Sequence, residues 1–463
     1  MQRRVPSLLA VALALVGTAS IGGCKKQQGS GMVGPTAKGP VIIGEVGSMT
    51  GSEATFGISS DHGIKLAVQE VNAAGGVKGR QLEVHALDDQ SKPEEAATAT
   101  TRLIASDHVT ALIGEVASTR SLYMAPKAQA AHVPMISPSS TNPAVTKKGD
   151  YIFRACFIDT FQGYVMAKFA ADDLKLKRVA ILRDVRNDYS VGLANNFADD
   201  FKKMGGTIVS DESYSQGDVD FKAQLTNIKD SKPEAIFVPG YYNDVGLIAR
   251  QVREVGMTVP LLGGDGWESE KLYEVGGSAL DGCYFSNHYA PDDPNPVIQT
   301  RIRHFVDNYT KAYNNVPDSL SAQAYDAAGL LADAMKRATD LSGPAIRDAL
   351  AATKGYPGVT GDITMDANRN PVKSAVVVKI APGGKFLYVT RIQPEKSAAA
   401  AAAGGTGGET GQGALPGGNT APLAAPGQAP TPTRMPALGE QSGAADAADT
   451  GQAGGVPSGE SHK

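Results

Sequence analysis

The sequence predicts an α/β protein of two lobes, each a parallel sheet with helices on both faces. Three observations carry this. From residue 40 onward, apolar strand-like runs alternate with helix-period stretches, the pattern of parallel sheets. The alternation comes in two series, parted near Tyr151-Ile152-Phe153-Arg154. Segments poor in core-forming residues flank them, leaving a core of about 350 residues, which suits two domains.

The first strand is Val41-Ile42-Ile43-Gly44-Glu45-Val46, followed by a turn rich in Gly and Ser. A helix follows, with Ile64, Ala67, Val68 and Val71 at the i, i+3, i+4, i+7 spacing of one buried face. It stops at Asn72-Ala73-Ala74-Gly75-Gly76, where glycine supplies the C-terminus. Strand Leu82–Leu87, helix Glu94–Ile104, strand Thr110–Glu115, helix Arg120–Ala131 and strand Pro134–Ser137 continue the series. The second series has strands Val179–Leu182, Thr207–Ser213, Ala235–Val238 and Pro260–Leu262, with helical patterns between them. Ligands of such sheets bind beyond the carboxyl ends of the strands, at helix N-termini.

Both ends of the chain read differently. Arg3 and Arg4 precede a short apolar run, Leu8 to Val16, and small residues lead to Ile21-Gly22-Gly23-Cys24. That run is too short to span a bilayer core of about 30 Å, and it reads as an export signal over 1–23. Its ending resembles the bacterial lipoprotein signal, in which the Cys, here Cys24, is acylated and becomes the new N-terminus. With no second apolar run of about 20 residues, the expectation is a protein lipid-anchored in the cell envelope without spanning a membrane. Residues 24–39 read as a flexible tether. Residues 394–463, mostly Ala, Gly, Pro, Ser and Thr, read as a disordered tail, because they cannot bury enough surface to offset their ordering entropy.

Composition excludes several function classes. With 44 Lys+Arg against 48 Asp+Glu the net charge is −4, without the strongly basic balance of a nucleic-acid binder. One Trp and 6% aromatic residues argue against a stacking platform for single strands. Three Cys are too few for a disulfide scaffold or a four-Cys zinc site. Gly44-Glu45-Val46-Gly47-Ser48-Met49-Thr50-Gly51 has the wrong spacing for a dinucleotide fingerprint and lacks a P-loop Lys. No hydrolase elbow, no zincin motif and no nucleophile–base–orienter set is visible, so the chain reads as a binding protein without cofactor or metal, not as an enzyme. The seven His are scattered and read as surface or structural. Asp88-Asp89 reads as a solvated strand end, with a metal pair as the lesser alternative.

The strand ends are more informative. Strand Ala111–Glu115 gives way to Val116-Ala117-Ser118-Thr119 and a helix, so Ser118 either caps that helix or offers its hydroxyl, beside free N–H groups, to a carboxylate. The next strand ends at Ser137-Pro138-Ser139-Ser140-Thr141-Asn142-Pro143. In the second series the ends carry Asp184 with Asp188-Tyr189, then Gly240-Tyr241-Tyr242, then Gly263-Gly264-Asp265-Gly266-Trp267. One lobe offers hydroxyls and helix N–H groups; the other offers aromatics and an acid. Together they complement a zwitterion.

Over nearly all of 40–392 the sequence resembles the leucine/isoleucine/valine-binding protein family of bacterial ABC importers. The resemblance rests on Gly47-Ser48-Met49-Thr50-Gly51, Val71 through Gly79, Asp88-Asp89, Ile136 through Pro143, Phe153-Arg154 with Gln162-Gly163, and Asp188-Tyr189. It implies the type I periplasmic-binding fold, two doubly wound lobes joined by a three-stranded hinge, and a free amino acid as ligand, with Leu, Ile or Val foremost. By the same resemblance Ser118 and Thr141 hold the ligand carboxylate, with backbone groups near Ser139 and Ala117. Tyr189 and Tyr241 line the opposite side, and Asp265 receives the ammonium where the branched-chain binders usually have Glu. Phe56 covers the ligand side chain, and Tyr325 is a weaker match of that kind. Trp267 is either a further wall or an aromatic on the lobe surface. The implied partners are an ABC permease and its ATPase, with the binding protein a monomer. The implied alternatives are an amide, urea, a larger amino acid or an aromatic acid as ligand, or a sensor role.

The family topology also implies chain crossings near Arg154, Cys283 and Gly355–Gly361. The first lobe is then 40–154 plus 284–355, and the second 155–283 plus 356–393. Cys156 and Cys283 would lie on neighbouring hinge strands, where an oxidising compartment permits a disulfide.

Overall fold

The computed structural model describes residues 39–394. The first lobe runs β1 (Val41–Gly47), α1 (Ala54–Ala73), β2 (Leu82–Asp88), α2 (Pro93–Ala105), β3 (Ala111–Ile113), α3 (Ser118–Ala130), β4 (Met135–Ser137) and β5 (Ile152–Arg154). Its five strands pair in parallel in the order β2-β1-β3-β4-β5. Alternation sends side chains to opposite faces. Ala111 and Ile113 of β3 join the core containing Ile64, Ala67 and Val68 of α1, while Leu112 joins Leu103 of α2 and Met124 of α3 on the other face.

The second lobe runs α4 (Asp159–Lys168), β6 (Arg178–Asp184), α5 (Asp188–Lys203), β7 (Thr207–Tyr214), α6 (Lys222–Asp230), β8 (Ala235–Phe237), α7 (Tyr242–Glu254), β9 (Leu261–Gly263), α8 (Glu270–Gly276) and β10 (Tyr284–Asn287). Next come α9 (Pro296–Tyr313), α10 (Ser319–Arg337), α11 (Gly343–Ala351), β11 (Tyr356–Gly358) and β12 (Gly361–Ile363). Among these, α10 packs along α1 in the first lobe. The chain ends its described course with β13 (Ala375–Ala381) and β14 (Lys385–Ile392).

The second sheet has the order β14-β13-β10-β9-β8-β6-β7. It is parallel from β10 to β7, but β13 and β14 add an antiparallel hairpin edge that the sequence reading lacked. The three residues Pro382-Gly383-Gly384 between them can join only antiparallel strands.

Two crossings lie later than expected. Tyr284–Asn287 pairs with β9 in the second sheet, and its Phe285 packs in that lobe's core, so the second crossing follows Asn287. Ile363 and Met365 belong to the first lobe's core, so the third crossing follows them. Cys156 and Cys283 are not bonded: both thiols are free and buried. The Cys156 thiol donates to the Ser140 carbonyl at 3.3 Å, and Cys283 Sγ accepts the Leu261 amide at 3.3 Å. Asp88-Asp89 is not a solvated end either. Asp89 is wholly buried and accepts from Ser48 Oγ at 2.7 Å, while Asp88 accepts the Met49 and Thr50 amides.

The export signal, Cys24, the tether and the tail from residue 395 lie outside the described residues. Among the described residues no helix is long and apolar enough to cross a membrane, and no group of His, Cys, Asp or Glu could hold a metal ion.

Candidate functional site

The site forms where strand ends of the two lobes face each other. In the first lobe the chain leaves β3 through Gly114, whose φ of +126° favours glycine and where a Cβ would sit 2.1 Å from the Val46 carbonyl. The next residue, Glu115, accepts the Ser48 amide at 3.2 Å and pairs with Arg120 Nε at 3.1 Å. Arg120 is also paired with Glu53 at 2.9 Å, so the start of α3 is held by a buried ion network. Ser118 is the first residue of α3, whose cap residue Ala117 makes no side-chain cap bond, leaving the amides of the first turn without intrahelical partners. Its Oγ accepts the Asn142 amide at 3.2 Å, which ties it to the loop carrying Ser139 and Thr141.

In the second lobe, Asn187 caps α5 by accepting the Tyr189 amide at 3.0 Å. That sets the Tyr189 ring parallel to Tyr241, centroids 5.4 Å apart. Gly264 makes room for it, since a Cβ there would lie 2.3 Å from the Tyr189 hydroxyl. The Tyr189 hydroxyl accepts the Gly266 amide at 3.2 Å. Burial, then the charge of Asp265, pushes its pKa well above that of free tyrosine. Asp265 follows β9 and is gripped at both oxygens: Gln162 Nε2 donates to Oδ1 at 2.8 Å, and His288 Nε2 lies 2.9 Å from Oδ2. Burial lowers the His288 pKa although Asp265 opposes it.

These groups line a common cavity between the strand ends. Ser118, Ser139 and Thr141 line one side; Tyr189, Tyr241, Asp265 and Gly266 line the other. Phe56, Val116 and Leu320 supply apolar wall, with Phe56 meeting the Tyr241 ring edge-on at 5.4 Å. Behind Thr141 lies Asp159, fully buried, with neither carboxyl oxygen hydrogen-bonded among the described residues. Burial raises its pKa to about 8.

The lobes touch around the cavity, so the cleft is closed. Thr119 Oγ1 accepts the Asp188 amide at 3.1 Å and donates to its carboxylate at 3.0 Å, and Asn142 Nδ2 donates to the Asp188 carbonyl at 2.8 Å. Tyr242 donates to the Ser52 carbonyl at 2.9 Å, and the Ser319 amide donates to Glu268 at 2.9 Å.

Three expected site residues are elsewhere. Trp267 is neither wall nor surface: it is wholly buried in the second lobe's core, donating to the Val238 carbonyl at 2.9 Å. Tyr325 bonds Glu70 and packs on Phe305, lining a separate depression. Ala117 does not line the cavity, and its amide is taken by the Glu115 carboxylate. Val116 and Leu320 went unforeseen, as did the grip of Gln162 and His288 on Asp265. Gln162 stands in a motif that carried the resemblance, but nothing in the sequence ties either residue to Asp265.

The Periplasmic binding protein family profile matches residues 40–385. The chain belongs to the periplasmic binding protein family. Among curated relatives of this binding protein, Leu/Ile/Val-binding protein homolog 3 of Brucella melitensis is 30% identical over 70% of this chain and 86% of the relative. Two crystal structures are similar. A leucine-binding protein, LivK, from Thermotoga maritima has 39% identity and a TM-score of 0.73, covering 77% of this chain and 99% of that one. The branched-chain amino acid transporter binding protein LivJ from Streptococcus pneumoniae, in complex with isoleucine, has 36% identity and a TM-score of 0.71, covering 77% of this chain and 100% of that one. The family and fold read from the motifs are therefore borne out. Members are extracytoplasmic substrate-binding proteins of ABC transporters, not enzymes.

Proposed function

We propose that this binding protein captures a free branched-chain amino acid between its lobes and delivers it to an ABC permease. One observation carries the reading: the cavity sets a single carboxylate, Asp265, opposite three hydroxyls, Ser118 at the N-terminus of α3 and Ser139 and Thr141 on the adjoining loop, with apolar wall between. Donors for a carboxylate, an acceptor for an ammonium and a small apolar chamber are the complement of Leu, Ile or Val. Ser118, Ser139 and Thr141 take the ligand carboxylate; Asp265 takes the ammonium; Tyr189 and Tyr241 close over the backbone; Phe56, Val116 and Leu320 face the side chain. Closure follows ligand contacts made from both lobes, since only differential affinity for the closed state shifts the equilibrium. The relatives' names support the ligand class. Acylation of Cys24 would anchor the protein, as a monomer, at the membrane beside its permease.

A thermal-shift screen of the mature protein tests the ligand. At 100 times its dissociation constant a ligand stabilises by about 2.7 kcal/mol. Stabilisation by Leu, Ile or Val is expected. Silence across the amino acids with a response to benzoate or an amide would overturn the ligand class and leave the fold untouched. Mass spectrometry of the N-terminal peptide from cells tests the anchor: an unmodified Cys24 would exclude it.

A further inference from the structure

We propose that His288 is a positioning residue: it fixes the Asp265 carboxylate toward the cavity and so favours ligands that carry an ammonium group. The inference rests on the amino-acid reading above. His288 is wholly buried, and its Nε2 lies 2.9 Å from Asp265 Oδ2. A carboxylate only accepts, so the ring's proton is on Nε2. Its Nδ1 has no hydrogen-bond partner among the described residues, so the Asp265 bond is the ring's only one there.

The grip comes from two chain crossings. His288 follows β10 on the second, and its ring stacks on Phe157 of the first, centroids 3.6 Å apart at 19°. Gln162, in the helix entered from that first crossing, holds the other oxygen and also donates to Ser286 Oγ at 3.0 Å. Asp265 is therefore aimed by groups rooted at the hinge. The two bonds leave lone pairs of the carboxylate free to face the cavity. An ammonium satisfies them. A ligand with the same skeleton and no ammonium leaves a desolvated charge unpaired. The other charged group acting on the ring is Lys373.

Calorimetry with L-leucine and 4-methylpentanoate, the same skeleton without the ammonium, reads this directly. His288→Leu is expected to weaken leucine binding about ten- to a hundred-fold, the size of a lost bond to a charged group, with no loss for 4-methylpentanoate. His288→Gln, which keeps a donor, is expected to recover most of the affinity. An unchanged leucine affinity in His288→Leu, or an equal loss for both ligands, would overturn the positioning role. A ligand-free readout separates this from failure of the amino-acid reading. In ¹⁵N-histidine NMR of the free protein, His288 is expected as the Nε2–H tautomer, with a signal that moves in Asp265→Asn. An Nδ1–H tautomer, or a signal indifferent to that substitution, would overturn the pairing even if no amino acid binds.

Discussion

Asp265 carries the one formal charge among the side chains lining the cavity, so it should dominate the ligand's electrostatics. Asp265→Asn keeps the shape and removes the charge. It is expected to weaken amino-acid binding by about 2–5 kcal/mol, the usual loss for a desolvated charge pair. Calorimetry checks it. This residue was legible because a strand end followed by a turn points its side chain out of the sheet. Ser118 and Thr141 were legible for the same reason. Trp267, two residues past the acid, was not, because a single turn sends it into the core and the direction of that turn is not written in residue type. His288 was unreadable as well, its role being set by a stack on Phe157, far away in the chain.

Between elements, the contact of α3 with α5 is a latch outside the cavity. Thr119→Val removes both its bonds to Asp188, and Thr119 is not itself a lining residue. Each bond contributes about 0.5–1.5 kcal/mol to the closed form. The expected result in stopped-flow is faster ligand release, several-fold, with the association rate nearly unchanged. An unaltered release rate would show that closure does not use this latch. The cysteines make a second prediction at this scale. Cys156 and Cys283 each have their own partner, so thiol titration in denaturant should give the same count with and without reductant. Alternating strands and helices were readable because period-two and period-3.6 patterns differ over whole elements. The late crossings were not, since the residue types of β10 favour neither lobe and its pairing with β9 and β13 assigns it.

For the whole molecule, buried acids set the response to pH. Burial raises the carboxyls of Asp159 and Glu268 to about 8 and that of Asp244 to about 7. Unfolded, such groups titrate near pH 4, so between about 4 and 8 the native state binds more protons. Stability from these groups is present in mild acid and is lost as pH rises through the native values. Denaturant melts should therefore give a free protein more stable near pH 5 than near pH 9, and Asp159→Asn should flatten that slope. A rise in stability over the same range would show these acids ionised in the fold. The burial of Trp267 has an optical consequence. As the chain's single tryptophan, wholly buried in the second lobe's core, it is expected to emit in the blue, to resist quenching by acrylamide, and so to report denaturation from one place in one lobe.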